Sequence, residues 1–221
     1  MVTTTNKIPY YNEAIKPSFT EDKTPLQPST FNKRIYTLPA FTIAIHDMLD
    51  HIDDLRAASC GNRINRAFAE KIMLTVTRVN GCRYCNYGHS RAALAAGVSE
   101  TELQYLLSGE LGAFPEHEAV ALAFAQHYAE SNCRPDPSAQ ERLLAYYGSD
   151  TSCDILAYLR MITFGNLYGN TFDAILSRLV GKPAAQSRFL DEIGVILGVF
   201  VIMPFGIITR LLFGKQNDDS K

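Results

Sequence analysis

The chain has 221 residues, is 47% hydrophobic and 20% charged, and sets 21 basic against 23 acidic residues for a formal net charge of −2. That balance excludes global disorder. A near-neutral chain also lacks the basic footprint of nucleic-acid binding, so no nucleic-acid partner is expected. Five cysteines are an odd number in a chain too large to need covalent staples, which argues against a secreted disulfide framework. The first residues carry neither a basic stretch nor an apolar core of the signal-peptide kind. The expectation is a reducing compartment and a cytoplasmic location.

Residues 1–38 hold four of the ten prolines, Pro9, Pro17, Pro25 and Pro28. They read as an extended arm whose aromatics (Tyr10, Tyr11, Phe19, Phe31, Tyr36) suit docking, with a neighbouring subunit as one candidate surface. From Pro39 the apolar spacing is helical. Phe41, Ile45, Met48, Leu49, Ile52 and Leu55 recur at three- and four-residue steps and predict one helix. His46, Asp47, Asp50, His51, Asp53 and Asp54 crowd that helix. They read as a solvated face, with Asp47 and His51 as the metal-binding alternative.

A second helix is predicted over 64–80, ended by Gly81, and a third over 83–96, stopping at Gly97. Ser99 and Glu102 form a capping box for the next. Pro115 opens a helix to about residue 131. Asp136 and Pro137 open another that ends at Gly148, and a long helical stretch follows from about 150 to 180. Period-two alternation is absent, so the fold class is all-α. In FGNLYGN, Gly165 and Gly169 permit close helix approach; Asn166, Tyr168 and Asn170 either line a pocket or make interhelical polar contacts. The division is an arm over 1–38, a helical domain over 39–183 and an apolar C-terminal segment over 184–221.

Residues 193–209 contain no charge, carry Gly194 and Gly198 in a Gly-x-x-x-Gly pattern, and are interrupted by Pro204. As a helix the segment spans ~25 Å, short of a ~30 Å hydrocarbon core. A helix buried between subunits is the expectation, with contact to a membrane surface through 193–209 as the alternative.

The segment carrying chemistry runs from Glu70 to His89. Cys82 and Cys85 stand three apart at the start of a helix, on one face and within reach of a disulfide. Unpaired N–H groups and the macrodipole at a helix start favour a thiolate, and this alone would favour Cys82. His89 follows Cys85 by four residues, placed to take a thiol proton, and Glu70 on the preceding helix could fix its tautomer. Two other readings stay open: a pair of small buried hydrophobes, or zinc on Cys82, Cys85 and His89 with a fourth ligand from Cys60, Cys133 or Cys153. The expectation is no metal and no cofactor.

Glu70, eleven residues, Cys82-x-x-Cys85, three residues and His89, with the flanking NGCRYC, HSRAALAAG and GNTFDAILSRLVG, resemble the alkylhydroperoxidase D-like family of the carboxymuconolactone decarboxylase superfamily. The resemblance covers about residues 40–182. It implies an all-helical fold assembled into trimers or hexamers and a thiol-dependent peroxidase. It implies Cys85 as the peroxidatic thiol, Cys82 as the resolving one, and Glu70 with His89 as a proton relay through water. A hydroperoxide would be the substrate and an external dithiol the reductant. Tyr84 stands where the best-known peroxidases of the family carry a histidine between the cysteines. The decarboxylase branch lacks the cysteine pair. A decarboxylase-like enzyme and a non-enzymatic helical scaffold associating through its C-terminal segment are the alternative functions.

Overall fold

The computed structural model describes residues 31–213, with side chains described as far as residue 205. Among the described residues the elements are helices and no strand occurs, as the all-α reading requires. The part of the N-terminal arm before residue 31 lies outside the described residues.

Residues 31–37 are extended and dock on their own chain. Ile35 and Tyr36 are buried, the Tyr36 N–H donates to Thr171 Oγ1 at 3.0 Å, and Arg34 Nη1 reaches the Ala129 carbonyl at 3.1 Å. Thr37 then caps α1 (Leu38–Asp50), with Pro39 in its first turn. The single helix expected through Leu55 is two. At His51 the backbone leaves the helical region (φ −108°, ψ 17°), and α2 (Ile52–Cys60) begins on a new course. Both the backbone N–H of His51 and its ring bind the Asp47 carbonyl, which closes α1 there. His51 and Arg160 pair with the Asp47 carboxylate, while His46, Asp50 and Asp53 are exposed, as a solvated face requires. The bond to Asp47 raises the His51 pKa above its ordinary value.

The centre of the molecule is α3 (Arg66–Asn80), N-capped by the Asn65 side chain. Every residue from Phe68 to Thr77 is buried, because α4 (Arg83–Ala95), α5 (Glu100–Ser108), α6 (Glu116–Glu130) and α7 (Pro137–Leu179) surround it. A helix apolar on most sides must be covered on most sides. The capping box of Ser99 and Glu102 opens α5 as expected. Helix α7 is two helical segments meeting at Gly148, whose φ of 74° and ψ of 176° fit the expected stop and restart there.

Lys71 is the charged exception inside this core. Its ammonium contacts Glu102 at 2.6 Å and Glu118 at 2.8 Å. Chiefly through its bond to Lys71, Glu102 is held down at a pKa of about 2, against a usual 4.5. A depressed carboxylate stabilises the fold above its unfolded pKa and loses that contribution as pH falls through the folded one. The difference in melting temperature between the parent and Lys71→Met is therefore expected to be largest above pH 4.5 and to shrink toward pH 2. A gap that stays constant over that range would contradict the pairing.

A second cluster joins Tyr36, Phe41, Ile45, Leu49, Leu167 and Val195, tying the N-terminal segment and α1 to α7 and α8 (Phe189–Phe213). Here the expectation for Gly194 and Gly198 needs correction. A Cβ at Gly194 would lie 3.1 Å from Leu38 Cδ1, and one at Gly198 2.8 Å from Phe41 Cε1. The glycines let α8 approach α1 of the same chain, not a helix of a second copy. The outer face of α8 leaves Leu197, Phe200, Val201 and Phe205 exposed. Among the described residues, no helix is long and apolar enough to cross a membrane.

A candidate dithiol site

The site begins where α3 stops. Gly81 adopts the left-handed conformation (φ 70°), returns its N–H to the Thr77 carbonyl at 2.8 Å, and turns the chain back so that α4 packs on α3. Cys82 is the N-cap of α4, its sulfur in the place usually taken by a capping oxygen. The N–H of Cys85 donates to that sulfur at 3.4 Å, and the two sulfurs lie 2.8 Å apart as free thiols. Cys82 is 1% exposed, whereas Cys85 is half-buried.

The two thiols titrate as a pair. Cys82 is pulled down to about 7, first by the hydrogen bond from the Cys85 thiol, with the N–H groups of Cys85 and Tyr84 and the charge of Lys33 adding to it. Cys85 is pushed up by the same hydrogen bond and by burial. The first thiolate therefore resides on Cys82, where the helix start favours it, and Cys85 holds the remaining proton. Acidity and access are thus split between the two sulfurs.

Glu70 is buried on α3 and its carboxylate bridges two partners. Oε2 lies 2.7 Å from His89 Nδ1, and Oε1 accepts from Arg66 Nε at 3.1 Å. A carboxylate at Nδ1 favours the tautomer with its proton there, leaving Nε2 as the basic nitrogen. His89 lies one turn beyond Cys85 on α4. The four residues singled out in the sequence thus form two contacting pairs, Cys82 with Cys85 and Glu70 with His89. Helix α4 carries a member of each.

Tyr84 turns outward to α7. Its hydroxyl donates to Asp173 Oδ1 at 2.8 Å and accepts from Arg83 Nη2 at 2.8 Å, and its ring meets Phe172 edge-on. Asp173 also pairs with Lys33 at 2.7 Å and Arg83 at 2.7 Å. Burial opposes its charge, but Lys33 and Tyr84 outweigh that and hold its pKa below the usual range. The residue between the cysteines therefore anchors α4 to α7. Gly169 on α7 is equally close: a Cβ there would stand 2.8 Å from Cys82 Sγ.

Lys33, Gly169 and Asp173 were not readable as site residues. Gly169 did stand out in FGNLYGN, but as a helix-packing glycine. Lys33 falls in the arm and gives no motif. No group of three or more His, Cys, Asp or Glu side chains suited to a metal ion occurs among the described residues. A groove of about 510 Å³ beside α6, lined by Phe124, His127, Asp136, Arg142 and others, contains none of the four motif residues.

Comparison with curated proteins finds no match. A family model, that of the carboxymuconolactone decarboxylase family, matches residues 46–127. The match is shorter than the resemblance drawn from the motifs, and it contains Glu70, Cys82, Cys85 and His89. Over residues 46–127, the dithiol turn included, the chain is thus similar to the carboxymuconolactone decarboxylase family.

Proposed function

We propose that the chain is a thiol-dependent peroxidase of the alkylhydroperoxidase D-like kind. It would reduce a hydroperoxide with the Cys82–Cys85 dithiol and be reset by an external dithiol. The observation that carries this reading is the pair of free sulfurs at 2.8 Å, one of them with a pKa near 7. Two buried hydrophobes need neither feature. The reading includes the trimeric or hexameric self-association that the resemblance implies.

Cys85 is the sulfur that attacks, because it belongs to the more exposed residue of the two and stands one turn from His89. Its proton passes to the Cys82 thiolate or, through water, to Nε2 of His89. The Cys85 thiolate then attacks one peroxide oxygen and the O–O bond breaks. The sulfur becomes a sulfenic acid, and the departing alkoxide takes a proton from the relay and leaves as alcohol. Cys82 attacks the sulfenic sulfur as its thiolate, the S–O bond breaks, and the hydroxyl leaves as water with one more proton. The balance is two thiols and one hydroperoxide giving one disulfide, one alcohol and one water. Thiol–disulfide exchange with an external dithiol restores the pair.

The test is turnover of an organic hydroperoxide at the expense of a small dithiol, in the parent, Glu70→Gln, His89→Ala and the double variant. The parent is expected to turn over. Each single variant is expected to lose about 10²–10⁴-fold, the usual worth of a positioned acid–base group. The double variant should lose little more than either alone, since both act on one proton path. A parent without turnover contradicts the peroxidase reading, and single variants at the parental rate contradict the relay.

A further inference from the structure

Gly169 on α7 faces the start of α4 at the dithiol. A Cβ there would lie 2.8 Å from Cys82 Sγ and 3.5 Å from Tyr84 Cδ2, and no other atom from outside α7 comes within 4 Å of that position. The Cys85 sulfur is 2.8 Å from Cys82 Sγ, yet it stays outside that 4 Å radius. It therefore stands on the side of Cys82 turned away from Gly169. Movement of Cys82 Sγ toward its partner carries it off the glycine, and movement back presses it against α7.

Two features hold this contact in place. The Cys82 sulfur caps α4 by accepting the Cys85 N–H at 3.4 Å, and another rotamer would forfeit that bond. Helix α4 is also tied to α7 one turn beyond Gly169. Asp173 accepts from the Tyr84 hydroxyl at 2.8 Å and pairs with Arg83 at 2.7 Å, and the Tyr84 ring meets Phe172 edge-on. Neither the side chain nor the helix yields freely to an added methyl.

We infer that Gly169 is a positioning residue that sets the redox poise of the dithiol, its missing side chain giving the reduced Cys82 sulfur its seat. The inference rests on the reading of the pair as one that cycles between dithiol and disulfide. In that cycle two S–H bonds are lost and one S–S bond forms, while two electrons and two protons pass to the oxidant. The new bond draws the sulfurs inside their contact distance, so the disulfide needs less room along their common line than two unbonded thiols. Cys82 leaves the glycine as the bond forms and returns to it on reduction. A methyl at residue 169 crowds the dithiol more than the disulfide and so favours the disulfide. The glycine thus keeps the pair open to reduction by an external dithiol.

The experiment equilibrates the full-length protein with dithiothreitol or glutathione couples of set ratio, without peroxide, and reads the Cys82–Cys85 disulfide by mass spectrometry after alkylation. Gly169→Ala is expected to shift the equilibrium constant toward the disulfide by about 10- to 100-fold, the usual effect of one methyl forced into a packed site. Gly165→Ala adds the same methyl to the same helix one turn earlier, where nothing lies within 4 Å, and is expected to leave the constant unchanged. An unmoved constant in Gly169→Ala, a shift toward the dithiol, or an equal shift in Gly165→Ala overturns the inference. So does a parent pair that forms no disulfide in either couple. Where Gly169→Ala fails to fold, Cys82→Ala in the same chain removes the obstructing sulfur and is expected to restore folding; a double variant that stays unfolded overturns the inference. A shifted constant in a protein that consumes no peroxide would sustain the inference and sink the peroxidase reading. An unmoved constant beside normal turnover would do the reverse.

Discussion

Replacing Cys85 with serine is expected to abolish peroxide consumption, reducing it to the uncatalysed rate. Replacing Cys82 is expected to permit a single oxidation and no more. The asymmetry follows from the geometry of the pair. Cys82 is 1% exposed and lies under the first turn of α4, where its sulfur accepts the Cys85 N–H; Cys85 is the more exposed residue. In Cys82→Ser the serine hydroxyl remains a good N-cap, so α4 should keep its start. Cys85 then lacks the sulfur that would condense with its sulfenic acid, which should persist long enough to be trapped by a dione reagent. The measurement is the mass of the trapped adduct after one equivalent of hydroperoxide. An adduct on Cys82 in Cys85→Ser, with none on Cys85 in Cys82→Ser, would reverse the two roles and give priority to the acidity of Cys82.

Phe41→Ala is expected to destabilise the fold by about 3–5 kcal/mol. Phe41 is fully buried. It stacks on Phe164 at 5.9 Å and Tyr168 at 6.3 Å between ring centroids, and meets Tyr36 edge-on at 5.6 Å. Its ring also lies against the Cα of Gly198, so one side chain joins the N-terminal segment, α1, α7 and α8. Urea unfolding followed by helical circular dichroism reads the change. A loss below about 1 kcal/mol would mean that the cavity collapses or that α8 is not held there.

The helical class was legible because its signals are local. Gly81, Gly148, the Ser99–Glu102 box and the prolines at helix starts each act within a few residues, and each lies where an element starts or stops. The break at His51 was not legible, since the apolar steps run through it without interruption and the turn depends on its ring and N–H both binding Asp47. The Glu70–His89 contact could be anticipated because α3 and α4 are joined by one glycine turn, so spacing in sequence becomes spacing in space. Lys33 meets Asp173 across 140 residues, and Arg34 meets Asn80 across 46. Periodicity carries no record of such pairings. The glycines of α8 show the same limit: the pattern announces a close helix neighbour but does not name it, and the neighbour is α1.

The most direct measurement is the product of one equivalent of hydroperoxide on the reduced full-length protein, mapped by mass spectrometry without added reductant. A single disulfide joining Cys82 and Cys85, formed with loss of two thiols and reopened by a small dithiol, is the result this account predicts. Retention of both thiols, or oxidation appearing first at Cys60, Cys133 or Cys153, would contradict it.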